Sequence, residues 1–232
     1  MGYLTALKWY CLVMSDFWDR GRRLAIESLL KSVGIRDAEG KRALAGVIVG
    51  APGSSAEALS HFCEKLVSVE PGLAGQFFAE KPKSFDLVSS FDVLDMLEDD
   101  LGFLKALSAG LNEGGRVLLS GAASRRLWSS TDVFARRFRR YSREELVSKV
   151  EACGFRVERT SYFYRAVFSA LWISNHWRDF LGGSGARDSQ AHAIPGFVGR
   201  LIDRRLVREA STLRHEDLNY GAALFCVARK IT

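Results

Sequence analysis

Hydrophobic positions in this chain switch between a period of two and a period near 3.6. A β-branched run, Val47, Ile48 and Val49, meets a Gly/Pro turn formed by Gly50, Ala51, Pro52 and Gly53. A helical pattern follows, and a second run of Leu66, Val67 and Val69 ends on Glu70. The order predicts a strand, a tight turn, a helix and a second strand. In such a unit the turn lies at the carboxyl end of a buried strand, where open α/β sheets gather ligands, and an acid ending the next strand can hold a ribose hydroxyl. A nucleotide-binding turn offers Gly-x-Gly-x-Gly; this one offers Gly50-Ala51-Pro52-Gly53-Ser54. Pro52 has no N–H to give, and Ser54 with Glu57 has the spacing of a capping box. From spacing alone, a cofactor loop and an ordinary strand-to-helix turn both remain open.

The remaining pattern predicts a helical preface in two pieces, 3–14 and a second helix through Val33, with a polar linker over 36–42. The interval 71–84 can hold one short helix but not another strand with its own helix, because a parallel crossover takes about 10–12 residues. Further strands are predicted at 85–90, 116–120, 155–161 and 222–229, with a turn at Asn112-Glu113-Gly114-Gly115. Ser142 and Glu145 predict a second capping box, and Gly154 the end of that helix. The aromatic-rich stretch 162–180 reads as helix: a core helix, an apolar groove or a membrane-surface helix. A flexible loop is expected at 182–190 and an arginine-rich helix at 197–210.

Composition narrows the setting. With 232 residues, 47% of them hydrophobic, the chain can bury one sizeable core. A net charge of +6 favours anionic partners, among them phosphate-bearing small molecules and lipid head groups. Cys11, Cys63, Cys153 and Cys226 lie far apart with no histidine at metal spacing, so they predict a reduced, cytoplasmic core and no metal. No run of roughly eighteen apolar residues exists to span a membrane. Between Arg125 and Tyr141 six arginines alternate with aromatic residues. Guanidinium forks suit phosphate and carboxylate, so this stretch reads either as an anion-binding wall or as a solvated, charged lid. A basic surface over 136–143 is open to nucleic acid or an anionic membrane, and the interleaved Phe138 and Tyr141 are compatible, but no base-stacking module is recognisable.

Taken in order, these motifs resemble the class I S-adenosylmethionine-dependent methyltransferases of the small-molecule and lipid-modifying branch, from about Phe17 to Lys230. Phe17-Trp18 with Arg20-Gly21-Arg22-Arg23 looks like the family's helix before the first strand. Phe85-Asp86-Leu87-Val88 followed by Asp92-Val93-Leu94-Asp95 looks like its fourth strand and acidic motif, and 111–119 like its fifth-strand signature. Trp128, Asp132 and Arg139-Arg140-Tyr141 match a substrate-side motif. The resemblance implies an α/β, Rossmann-like sheet flanked by helices and lacking the third, edge strand. It further implies a preface at 1–42, a core at 43–161, a helical insertion or lid at 162–221 and a closing strand at 222–232. S-adenosylmethionine would meet Gly50, Ala51, Gly53 and Glu70, with Phe91 and Asp92 at its methionine end. Trp128, Arg137 and Arg140 would line the side of a small-molecule or lipid-linked acceptor, with Asp132 or Tyr141 as proton acceptor. The departures are Ile48 in place of the first motif's acid, Pro52 and Ser54 in place of loop glycines, and Met96 and Arg137 in place of histidines. They set a second expectation beside methyl transfer: a catalytically inactive relative acting with a protein partner or as a homodimer, cytoplasmic or peripheral at a membrane.

Overall fold

The computed structural model describes residues 3–35, 44–165, 168–169, 172 and 196–231, with side chains from Phe17 onward in the first helix and from Arg200 onward in the last. The expected linker at 36–42, the loop at 182–190, most of the stretch up to Phe180 and the side chain of Cys11 lie outside these residues. The chain runs through α1 (Tyr3–Ser32), β1 (Leu44–Val49), α2 (Gly53–Ser60), β2 (Cys63–Val69), α3 (Ala74–Glu80) and β3 (Phe85–Phe91). It continues through α4 (Asp100–Gly110), β4 (Leu111–Ala122), α5 (Ser130–Phe134), α6 (Arg143–Glu151), β5 (Phe155–Phe163), α7 (Gly196–Leu213) and β6 (Ala223–Lys230).

The strands form one sheet in the order β2-β1-β3-β4-β6-β5. β1 to β4 are parallel, and β6 runs antiparallel to both β4 and β5. The carboxyl ends of β1 to β5 and the start of β6 therefore share one edge. Only a 3₁₀ turn, Pro71–Leu73, and α3 join β2 to β3, so β2 is the edge strand and the third strand is absent as expected.

Alternation along the strands sorts the core into two layers. Ile48, Leu87, Leu118, Phe225 and Val227 face a cluster with Ala25, Leu29 and Leu206 of α1 and α7. Val47, Val49, Val88, Val117 and Cys226 face the other way, onto Phe78, Leu104 and Val150 of α3, α4 and α6. Cys63, Cys153 and Cys226 are buried free thiols, and burial pushes the Cys63 and Cys226 thiols up to about 12, as expected of inert core cysteines.

Three boundaries differ from the pattern. The preface is one continuous helix, because its polar cluster at 16–23 contains no proline and Gly21 fits against the neighbouring layer. The expected turn at 112–115 is a bulge inside β4: Phe85 pairs with Leu111, but Leu87 pairs with Arg116. Tyr162 and Phe163 extend β5 instead of starting a helix, pairing with Leu224 and Ala223.

Two contacts fix the elements around the shared edge. Tyr164 stacks on Trp18 with ring centroids 4.0 Å apart, and its hydroxyl donates to the Trp18 carbonyl. A Cβ on Gly21 would come within 2.5 Å of the Tyr164 ring. Asp100, 3% exposed, accepts from Tyr141 Oη at 2.7 Å, Arg139 Nη1 at 2.6 Å and Lys149 Nζ at 2.7 Å. Burial pushes the Asp100 pKa up, but the hydrogen bonds from Lys149 and Tyr141 and the charges of Arg139 and Lys149 outweigh it, holding the carboxyl below its ordinary value.

Gly21→Ala should therefore destabilise the fold by about 1–3 kcal/mol in urea unfolding, since a buried ring must move. The intrinsic helix preference alone would instead stabilise by up to about 1 kcal/mol, so a gain would contradict the packing of α1 on Tyr164. Asp100→Asn should cost about 1–3 kcal/mol at pH 7, because it leaves the half-buried Arg139 and Lys149 without their counter-charge. The lowered pKa means that the stabilisation from Asp100 is fully present above the unfolded value of about 3.9 and is lost as pH falls through the folded value. The gap between wild type and variant should narrow in acid; a constant gap down to pH about 2 would contradict the ion-pair account.

Candidate active site

The first wall of the site is the β1–α2 loop. Gly50 has φ +119°, donates its N–H to the Val69 carbonyl at 2.9 Å, and could not carry a Cβ without meeting Val93 Cγ2 at 2.9 Å. Pro52 stands at the N-cap of α2 with no side-chain cap. The expected capping box of Ser54 and Glu57 does not form. The helix starts at Gly53, so Ser54 lies inside it and donates to the Asp19 carbonyl at 3.3 Å, while Glu57 is drawn to Arg23 at 2.8 Å. Ala51 and Gly53 are exposed, and a side chain on Gly53 would meet only open space. Glu70 follows β2 in extended backbone, with its exposed carboxylate making no hydrogen bond or ion pair among the described residues. The Val49–Val69 register brings it beside the loop.

The second wall follows β3. Phe91 is buried, and Asp92 turns into the left-handed region at φ +55°. Its carboxylate accepts from Ser120 Oγ at 3.1 Å and pairs with Arg22 of α1. Asp92, Ser124 and Tyr164 all have positive φ, and each lies within two residues of a strand's end at this edge. Such backbone costs about 1–3 kcal/mol each and persists where surrounding contacts over-determine it.

The third wall is the arginine-rich segment, in which Arg125, Arg137, Arg139 and Arg140 are already paired with carboxylates. Asp132, 3% exposed, accepts from Ser129 N–H at 2.9 Å and from Arg140 Nε at 3.1 Å, with Arg140 Nη2 at 2.9 Å from its second oxygen. Arg137 Nε lies 3.0 Å from Asp95 and 3.5 Å from Asp132. Asp95 is wholly buried; burial pushes its pKa up, with Arg137 pulling it down and Asp92 adding to the rise. The Tyr141 hydroxyl donates to Asp100, and burial together with that hydrogen bond and charge raises its pKa further above its ordinary value. Neither expected proton acceptor is therefore free: Asp132 is tied in a helix cap and a two-pronged arginine pair, and Tyr141 is held as a donor.

The structure thus joins Gly50, Ala51, Gly53 and Glu70 on one side and Phe91 and Asp92 in the middle. Asp132, Arg137, Arg140 and Tyr141 gather on the other side, where a Cβ on Gly121 would touch both Asp95 and Tyr141. Trp128 lies at the surface, 40% exposed, just before the Ser129 cap of α5. Sequence reasoning missed the bridging roles of Asp95, Asp100 and Arg22. The signal was present as a matched pair of runs, acids over 92–100 and arginines over 136–140, each of which requires the other if both are buried.

Comparison with known proteins places this geometry. A family model described as a methyltransferase domain matches residues 32–160. No curated protein sequence matches the chain. A protein from Bacillus halodurans described as a methyltransferase superposes with a TM-score of 0.54 at 16% identity, over 89% of this chain and 99% of that one. A protein from Galdieria sulphuraria described as a sarcosine dimethylglycine methyltransferase gives 0.52 at 16% identity, over 91% and 85%. Phosphoethanolamine N-methyltransferase 2 of Haemonchus contortus, in complex with S-adenosyl-L-methionine, gives 0.50 at 15% identity. It is covered over 52% of its length, against 87% of this chain. These likenesses carry the fold, and with more than half its length matched by the family model the chain belongs to the class I S-adenosylmethionine-dependent methyltransferase family.

Proposed function

We propose that the protein is a divergent S-adenosylmethionine-dependent methyltransferase acting on a small or lipid-linked metabolite. The observation that carries the reading is the contrast among the acids at the sheet edge. Asp92, Asp95, Asp100 and Asp132 are each engaged by an arginine or lysine, whereas the Glu70 carboxylate has no described partner and stands beside an open glycine loop. A charged oxygen pair left free at a strand's carboxyl end suits a ribose diol, so the residues present fit the ribose side of the cofactor. Gly50, Ala51 and Gly53 would allow close backbone approach, and Phe91 and Asp92 would border the methionine end.

When bound, S-adenosylmethionine supplies an electrophilic methyl group on sulfonium. The chain's own contribution would be orientation, since holding reactants in line supplies a large part of such a rate. Trp128, Arg137 and Arg140 would line the acceptor side, with Asp132 and Tyr141 as positioning residues that hold the arginine segment in shape. No strong general base is required by this reading.

A second reading, a non-catalytic relative working through a protein partner, draws on Ile48. The position where the family has an acid is buried hydrophobic core, 1% exposed, and Pro52 removes a donor from the loop. Calorimetric titration with S-adenosylmethionine and S-adenosylhomocysteine separates the two. Micromolar binding is expected, weakened by about 10- to 100-fold in Glu70→Ala, the equivalent of about 1.5–3 kcal/mol for hydrogen bonds to a charged group. Absence of binding by the folded protein would favour the non-catalytic reading, and undiminished binding by Glu70→Ala would remove Glu70 from the site.

A further inference from the structure

A cluster of arginines lies where α7 meets α1. A concavity of about 570 Å³ is lined by Arg20, Arg204, Arg205 and Arg208, with Asp203, Leu201 and Val207. A second, of about 390 Å³, shares Arg205 and Arg208 and adds Arg165, Glu209 and Tyr220. The two are adjacent, with these two arginines in both walls. Together they set five arginines against two carboxylates.

Both carboxylates are engaged. Asp203 pairs with Arg20 at 3.0 Å, and Glu209 accepts the Arg165 backbone N–H at 3.0 Å. The guanidinium groups of Arg204, Arg205 and Arg208 make no hydrogen bond or ion pair to another described residue. One wall is fixed: Arg165 lies 4.4 Å over the Tyr220 ring and donates to its hydroxyl at 3.2 Å, with Phe168 edge-on to the same ring. Leu201 and Val207 lie in the first concavity at 54% and 46% exposure, an apolar lip beside the charge.

We infer that this groove is a binding site for a multiply charged, phosphate-bearing ligand. Unpaired guanidinium forks suit phosphate oxygens in two-pronged pairs; Arg205 and Arg208 line both hollows and Arg204 the first, so more than one anionic group can be held at once. The groove lies against the α1 turn that carries Arg20 and is lined by neither Gly50 nor Glu70, and the inference stands whether or not the cofactor binds. The phosphate could be carried by a soluble molecule or a lipid head group, and the apolar lip separates these sources.

The full chain should be titrated with inorganic pyrophosphate and, in parallel, sedimented with vesicles of phosphatidylcholine alone or mixed with phosphatidylglycerol. Binding to pyrophosphate or to the anionic vesicles is expected, reduced at least tenfold in Arg205→Ala/Arg208→Ala and in Arg204→Glu. Arg126→Ala/Arg156→Ala, which removes the same charge from exposed positions elsewhere, should leave it intact. Leu201→Ala/Val207→Ala should weaken vesicle binding only, if a head group is the source, and neither probe if the source is soluble. Failure of the folded chain to bind either probe, or an equal loss in the Arg126/Arg156 control, would overturn the inference.

Discussion

Burying a carboxylate obliges a protein to bury or half-bury a cation beside it, and three carboxylates at one end of this sheet impose that obligation together. Asp95, Asp100 and Asp132 are nearly or wholly removed from water. Arg137, Arg139, Arg140 and Lys149 meet them. The Phe138 N–H also donates to the Asp95 carbonyl at 2.9 Å, so segment 137–141 is held to the 3₁₀ turn after β3 by backbone as well as by charge. The anion-binding wall and the solvated lid both give way to a braced segment, whose Arg137, Arg139 and Arg140 are spent on internal acids.

The opposite side of the mouth is closed by α1. Ser54 meets the Asp19 carbonyl, Arg22 meets Asp92, and Tyr164 packs where Gly21 leaves room. These contacts reach the loops after β1 and β3 from one helix and account for the tolerance of left-handed backbone at Asp92 and Tyr164. A helix so tied becomes part of the site's wall, linking the N-terminal segment to the β1 and β3 loops.

The parallel core was legible because buried β-branched runs and their turn chemistry agree locally: the strands after Val47 and Phe85, the Ser142 capping box and the missing third strand all follow from short-range pattern. Boundaries failed where tertiary contact overrode local preference. Gly21 did not break α1 because Tyr164 fills the space beside it, and Ser54 did not cap α2 because the helix begins one residue earlier, at Gly53, leaving the Ser54 hydroxyl inside it to donate to the Asp19 carbonyl. The sequence placed Gly50 and Glu70 together at the β1 and β2 ends, because their placement depends on backbone position alone. The site was illegible for Asp132 and Tyr141, whose roles depend on which charges lie opposite them across the fold. Long-range pairing of that kind leaves no periodic trace in a single chain.

Hydrogen exchange with and without S-adenosylhomocysteine tests most directly whether the acid left free at the β1–β2 edge still holds a cofactor. Retention predicts slowed exchange at amides in 50–54, 69–71 and 91–93, with α7 unchanged over 200–208. Exchange unaltered at all three segments in saturating ligand, or protection confined to other parts of the chain, would contradict it.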